Sequence, residues 1–356
     1  MIEETTNKGE VYFIGEKEIG GRVNHTGYFK IGMVAKEGET ERRLKEHQTG
    51  NPRELFIHEK IATQQPFWVE SSLHQRYGQK RTRAEWHAFN PEELEKVIAE
   101  AQVLAKRVED HNPYIRGRDA LKKKVSNGES RQADQDFSEW FDTLCCAHWA
   151  LSQLNTYEDD YTDLFKAHAK EVPDTDREST KDKPTLVVVQ RVNRNFKESK
   201  FKAKYPLIYN KFLIISVEDV TGSLTPVYPS LEPEDTMAKL SSKYELFGDF
   251  CSRFEELYNS VAREPQRFRE LDDLYFELKG WISIFTWDKE VALARMAFFC
   301  GENDSVSSGT TVLLNWKRTA KIKRKLDKDA LMTEHRSEYD EFVVETITEV
   351  TKENKS

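Results

Sequence analysis

Short apolar runs broken by turn residues open the chain, and their spacing predicts a small sheet with helices. Glu10–Ile14 (EVYFI) is β-branched and aromatic and predicts a strand. Tyr28–Met33 (YFKIGM) predicts a second, joined to the first as a hairpin across the turn-rich EKEIGGRVNHTG. Thr40 offers an N-cap to ERRLKEHQ, which Gly50-Asn51-Pro52 stops, so Arg43 and His47, four residues apart, share a helical face. Leu55–Thr63 (LFIHEKIAT) predicts a third strand, and Pro66–Tyr77 a helix carrying His74. GQKRTRAEW reads as a basic loop, and Asn90-Pro91-Glu92-Glu93 caps a helix running to about Glu109.

Further along, the pattern becomes helical. Asn112–Glu129, rich in Pro, Gly and Lys, reads as a linker, and Gln132–Lys170 as helix with core aromatics such as Phe137, Phe141 and Tyr157. Glu171–Pro184 reads as a charged surface loop, TLVVVQRV from Thr185 as a strand, Tyr209–Val220 as another, and Ser241–Phe299 as helix broken near Pro265. TVLLNWKRT predicts a late strand, and Thr346–Ser356 a frayed tail. At one constant offset Phe196, Phe201, Tyr205, Tyr209 and Phe212 fall on Leu326, Leu331, His335, Tyr339 and Phe342, which predicts a duplicated module. The expected fold class is α/β of the α+β kind. The expected divisions are a domain at 1–110, a linker at 111–130, helix-and-strand modules at 131–220 and 221–345, and a tail at 346–356.

Composition narrows the function. With 356 residues, 38% hydrophobic and 33% charged, the chain can bury two or three cores, and no run reaches the roughly 20 apolar residues of a membrane span. The acidic start MIEETTNKGE lacks the order of a signal peptide, so a cytoplasmic protein is expected. Its 4 cysteines form no CxxC pair and predict reduced thiols without structural zinc; Cys145, Cys146 and His148 read as helix packing. A net charge of −8 excludes a surface that coats nucleic acid all over, yet Arg22–Phe89 holds 12 Lys and Arg against 8 Asp and Glu.

That basic stretch also carries the chemistry. Tyr12, Lys30, Arg43, His47, His74 and Glu85 supply a base, cations that steady a phosphate and a carboxylate for a metal ion, the groups that phosphodiester hydrolysis needs. Arg42, Lys45, Arg76, Lys80, Arg81 and Arg83 are expected to meet nucleic-acid phosphates. Two further clusters beside the duplicated strands, with Arg191 and Arg194 in one and Lys317, Arg318 and Lys321 in the other, predict a second backbone grip. Each residue alone has an ordinary explanation: Tyr12 as a strand aromatic, Arg43 as a solvated helix arginine, His74 as a hydrogen-bonded core histidine. Joint occurrence carries the chemical reading. The Gly-x-Ser-x-Gly elbow and the phosphate-binding Gly-Lys-Ser/Thr loop are absent from the sequence.

The ordered pieces GEVYFIG, FKIG, RLKEHQTGNP, SLHQRYG and RAEW resemble the GIY-YIG endonuclease superfamily, in particular its phage-derived branch with KIG on the second strand, over about residues 9–105. The resemblance implies that Tyr12 acts as general base or positions the attacking water, Arg43 steadies the scissile phosphate, and Glu85 holds one Mg²⁺ or Mn²⁺. It further implies that His47 assists proton transfer and that His74 belongs to the Leu-His helix of this branch. Arg43 is preferred to Arg42 because Leu44 follows it. Lys30 stands where the second motif often has tyrosine; as a cation it could lower the Tyr12 pKa, and either Lys30 or Tyr28 could complete the site. The function expected is a metal-dependent DNA endonuclease of a phage, mobile-element or phage-defence setting. The alternative is a non-catalytic nucleic-acid-binding or regulatory protein that keeps the fold. Expected partners are DNA and, through the C-terminal region, a second copy or another protein; no membrane is expected.

Overall fold

A computed structural model describes residues 8–17, 25–49, 51–83, 85–171, 186–261, 264 and 267–353. Most of the two loops read from the sequence, at 18–24 and 172–185, lies outside the described residues. The architecture is mixed α/β, with an N-terminal antiparallel sheet flanked by helices and a largely helical C-terminal region.

The N-terminal sheet has five strands in the order β3-β1-β2-β5-β4: β1 (Gly9–Lys17), β2 (His25–Val34), β3 (Leu55–Thr63), β4 (Arg81–Arg83) and β5 (Trp86–Ala88). Val11, Tyr12, Phe13 and Ile14 are all buried, so both faces of the interior strand β1 are covered and its apolar run is continuous rather than alternating. Helix α1 spans Thr40–Gln48 and α2 Pro66–Arg76. Thr40 is the first helical residue rather than the cap; its hydroxyl donates instead to Glu10 Oε2 at 2.7 Å. GQKRTRAEW is not a plain loop. A turn of 3-10 helix, Gly78–Lys80, leads into the β4–β5 hairpin, which three-residue polar strands do not announce in a sequence.

Helix α3 runs from Pro91 to Leu121, opened by a reciprocal cap in which Asn90 Oδ1 accepts from Glu93 N and Glu93 Oε2 from Asn90 N. It passes through Pro113, so the linker expected at 111–130 is helix for its first half. An interior proline costs a helix about 3 kcal/mol. Packing offsets it here: the Arg295 guanidinium lies 3.5 Å from the Tyr114 ring centroid, Phe298 sits against Gly117, and Arg118 Nη2 pairs with Glu290 at 2.6 Å.

The chain continues through β6 (Ser130–Gln132), α4 (Gln135–Glu171), β7 (Leu186–Phe196), α5 (Glu198–Lys204), α6 (Pro206–Lys211), β8 (Leu213–Thr221), β9 (Thr225–Pro226), α7 (Pro233–Lys243), α8 (Phe247–Val261), α9 (Phe268–Cys300), β10 (Ser305–Ser308), β11 (Thr311–Asn315), β12 (Thr319–Leu326), α10 (Lys328–Glu334), α11 (Arg336–Asp340) and β13 (Val343–Glu353). Two compact units result, and each is assembled from three stretches: 1–119, 133–158 and 228–299 in the first, 120–132, 159–227 and 300–356 in the second. Elements of the stretches 131–220 and 221–345 are thus shared between units instead of forming successive modules. In the first unit, helices back the N-terminal sheet domain: Trp68 of α2 meets Trp287 of α9 at 5.4 Å, and Gln75 donates to the Glu277 carbonyl.

The second unit holds the duplication. Phe201 maps to Leu331, an offset of 130 that also carries α5 onto α10, α6 onto α11 and the start of β8 onto that of β13. The strand of the second copy is β12, not TVLLNWKRT, whose first half is β11 of a separate four-stranded sheet. Strands pair between copies: β7 with β13 and β8 with β12, both antiparallel, which gives the module a pseudo-two-fold axis. Phe201, Tyr209, Phe212, Leu326 and Leu331 form its core. Two equivalent backbone bonds close it, Lys197 N to Phe342 O and Asp327 N to Phe212 O, each 2.9 Å. The expected frayed tail is instead β13 as far as Glu353, because VVETITEV carries the period of a strand and β7 offers it eleven partners in register. Among the described residues, no helix is long and apolar enough to cross a membrane.

Candidate active site

Tyr12 is the centre on which the N-terminal elements converge. Its ring, buried to 2% exposure, leans across β2 over Gly32, its cross-strand partner, where any Cβ would collide with the phenol. Glycine in the KIG stretch is thus a matter of space for tyrosine. From α1, His47 places Nε2 3.3 Å from the Tyr12 hydroxyl, while Arg43, one turn earlier, donates to Glu46 Oε2 at 2.7 Å. The shared face read from the sequence is therefore the face turned to Tyr12.

The β4–β5 hairpin brings in the carboxylate. Ile31 N donates to the Glu85 carbonyl at 3.1 Å, and Lys30 Nζ donates to Glu85 Oε2. Lys30 is buried whereas Tyr28 is 42% exposed, so of the two it is Lys30 that faces the cluster. From α2, His74 stacks on His87 at 5.2 Å, and His87 stacks on Phe89 at 5.5 Å. Glu70, four residues before His74 on the same face, lies 3.9 Å from His74 Nε2. Glu70 and His87 escaped the sequence reading. A carboxylate one helical turn before a candidate histidine, inside the buried run Trp68–Leu73, was the signal for the first; nothing local marks the second.

Electrostatics separates these groups. Burial, then Glu85 and Glu70, push the Tyr12 phenol well above its ordinary range, with Arg43 opposing. The cation that opposes is Arg43, not Lys30 as expected from the sequence, and it is outweighed. Burial, then Lys30 and Arg43, lower His47, leaving its imidazole neutral with a lone pair to offer. Burial and the Glu85 charge raise the Glu70 carboxyl well above the usual carboxylate range. Burial acts to raise Glu85 too, but the charge and hydrogen bond of Lys30, with His74 and His47, bring it below that range. Burial takes His74 down to about 3 and His87 to about 4.

These numbers bear on a metal ion. Among the described residues, no group of three or more His, Cys, Asp or Glu side chains converges as a closed cage. The chemistry of the donor set is compatible with a hard divalent cation: two neighbouring carboxyls, one forced toward protonation by burial and by the other, would be relieved by an added positive charge. Both ring nitrogens of half-buried His74, and Nε2 of His87, are buried without a hydrogen-bond partner.

The residues expected to hold nucleic acid fall into two classes. Lys45 on α1 is exposed, as are Arg191, Lys317 and Lys321 in the second unit, whereas Arg42, though exposed, pairs with Glu46 at 2.9 Å. Arg76 pairs with Glu100, Lys80 with Glu93 at 2.7 Å, Arg81 with Glu277 at 3.8 Å and Arg194 with Glu345 at 2.7 Å. Arg318 departs from expectation. It is buried to 1% exposure, flat on Trp316 at 4.0 Å and donating to the Gly301 carbonyl, and cannot grip a DNA backbone from there. The Arg83 side chain lies outside the described residues.

Comparison with curated proteins and with solved structures gives no match. Among protein-family models, residues 9–102, which contain every side chain of the cluster around Tyr12, match the T5orf172 domain, a phage-associated domain of endonuclease type.

Proposed function

We propose that the N-terminal domain is a GIY-YIG-type, divalent-cation-dependent nuclease that hydrolyses DNA phosphodiesters. The observation that carries this reading is the convergence on Tyr12 of a neutral histidine, an arginine, a lysine and two carboxyls drawn from β2, α1, α2 and the β4–β5 hairpin. Arg43, held by Glu46 at the edge of the cluster, neutralises charge that builds on the phosphoryl oxygens as water attacks in line. A free Tyr12 phenolate is disfavoured, so Tyr12 works as a relay. Its oxygen accepts the proton of the attacking water while its own proton passes to His47 Nε2, as the new P–O bond forms and the leaving oxygen departs. This requires the His47 tautomer that leaves Nε2 unprotonated. Lys30 holds the Glu85 carboxylate in its charged form. Glu70 and Glu85 would hold Mg²⁺ or Mn²⁺, which when bound supplies Lewis-acid stabilisation of the phosphate.

Supercoiled plasmid incubated with protein and Mg²⁺ should be nicked, with EDTA or Glu85→Gln stopping the reaction while duplex binding persists. Undiminished cutting by Glu85→Gln would sink the assignment. One observation favours the non-catalytic alternative: Lys30 and Glu85 already satisfy each other. Arg43→Ala separates the two, since a clamp loses affinity and salt dependence whereas an enzyme loses mainly turnover.

A further inference from the structure

Duplication alone does not explain the charges of the second unit. Positions 198, 204 and 211 of the first copy are Glu, Lys and Lys; their equivalents 328, 334 and 341 are Lys, Glu and Glu. Every sign is reversed. Across the pseudo-two-fold axis Lys204 pairs with Glu341, Lys211 with Glu334 at 2.5 Å and Lys328 with Glu198 at 3.5 Å. The first two pairs exchange places under the symmetry, and the third lies on the axis, since 198 and 328 are each other's equivalents.

Had two first copies met in this geometry, Lys204 would face Lys211 twice and Glu198 would face itself. Two second copies would set Glu334 against Glu341 twice and Lys328 against itself. Several other contacts across the axis are indifferent to which copies meet. The closing backbone bonds are equivalent, and so are the ring contacts of Tyr205 with Phe342 at 6.0 Å and of Phe212 with His335 at 5.7 Å. We propose that Glu198, Lys204, Lys211, Lys328, Glu334 and Glu341 form a pairing code, by which the first copy accepts the second and rejects its own kind, so that the module closes within one chain. A single exposed ion pair contributes little. Discrimination grows because all three sites change from attraction to repulsion together.

The rings beneath the charges allow the code to be inverted. Lys204 lies over Tyr205 and Phe342, and Lys211 over Phe212; lysines moved to 334 and 341 would meet the equivalent rings of His335, Phe212 and Phe342. The test uses the full chain in three forms. Glu198→Lys/Lys204→Glu/Lys211→Glu gives both copies the signs of the second and should lower the melting midpoint of the module by about 5 °C at low salt. That loss should shrink in 1 M salt, where the screening length falls to roughly 3 Å. Lys328→Glu/Glu334→Lys/Glu341→Lys should behave alike, and the variant with all six changes should return to within about 1 °C of the parent. The sixfold variant separates sign complementarity from damage at any one position, and none of these readouts depends on DNA cleavage. A triple variant that melts with the parent, or a sixfold variant no better than the triples, would overturn the proposal.

Discussion

Around Tyr12, Lys30, Glu70 and His87 are taken out of water and set beside other titratable groups; in the duplicated module the ion pairs that join the two copies stand in water. The first arrangement leaves Glu70 with a raised carboxyl, His74 and His87 with lowered imidazoles, and ring nitrogens without partners. The second leaves Lys204 and Lys211 each with a glutamate of the other copy. Buried, unrelieved polarity costs stability and suits a site that acquires its missing charge from a ligand. Exposed, matched polarity costs little and suits a choice of partner. The contrast predicts that substitutions in the N-terminal domain change chemistry, and that those in the module change assembly.

The largest expected effect is at Gly32. Valine there must displace the Tyr12 phenol from His47, and plasmid nicking should fall on the order of 10²–10³-fold, the scale of a lost catalytic hydrogen bond, with the circular dichroism of the fold retained. Nicking at the parent rate would remove Tyr12 from the mechanism. Next in size are Phe201→Ala and Leu331→Ala, equivalent core residues that are both fully buried. Each should cost about 2–5 kcal/mol by denaturant unfolding while nicking at low temperature is unchanged. Sharply unequal losses would break the pseudo-symmetry.

What could be read in advance follows the same divide. The order of strands and helices over Gly9–Arg76 was legible because each element has its own period and stop signal, although β1 and β2 run past the expected Glu10–Ile14 and Tyr28–Met33 into the turn-rich stretch, and the offset of Phe196 to Phe212 onto Leu326 to Phe342 was legible because core spacing survives duplication. The β4–β5 hairpin was not, since three polar residues carry no period, and without it Glu85 could not be placed against Lys30. The passage of α3 through Pro113 depends on Arg295 and Phe298, nearly two hundred residues away. Glu70 carries only the weak signal of its spacing to His74, because its burial is a property of the packed helix. The basic clusters misled in part: Arg318 looks solvated in a charged run but packs on Trp316.

Acid should act differently on the two regions. His74 at about 3 and His87 at about 4 lie below the ordinary value of about 6.5, so below that pH the unfolded chain binds protons the folded domain refuses. Stability conferred by their neutral burial is present above pH 6.5 and declines as pH falls toward 4, by up to about 1.4 kcal/mol per pH unit for each histidine. Glu70 works in the opposite sense, because its raised carboxyl keeps a proton that the unfolded chain has lost, and it offsets one histidine at most. In the module, Glu338 and Glu341 are lowered by their hydrogen bonds, so their contribution persists to about pH 4.5 and fades only below it. Hydrogen exchange corrected for intrinsic rates should show β1–β5 losing protection between pH 7 and 5 while β7, β8, β12 and β13 keep theirs. Equal losses in both would contradict the assignment of the histidines.

The smallest effect tests which basic residues are free to meet DNA. Arg194 was expected on a nucleic-acid grip, yet its guanidinium is engaged by Glu345 on the neighbouring strand, whereas Lys45 on α1 is exposed on the helix that carries Arg43. An exposed pair such as Arg194–Glu345 contributes about 0.2–1 kcal/mol, so Arg194→Ala should barely move the unfolding midpoint. If its charge is spent within the β7–β13 pair, the variant should also leave the salt dependence of duplex binding unchanged, while Lys45→Ala lowers the slope by about one. A lowered slope for Arg194→Ala would return the β7–β13 pair to the DNA-contacting surface. Its exposed charges would then serve a ligand as well as a partner strand, and the line drawn between the two regions would have to move.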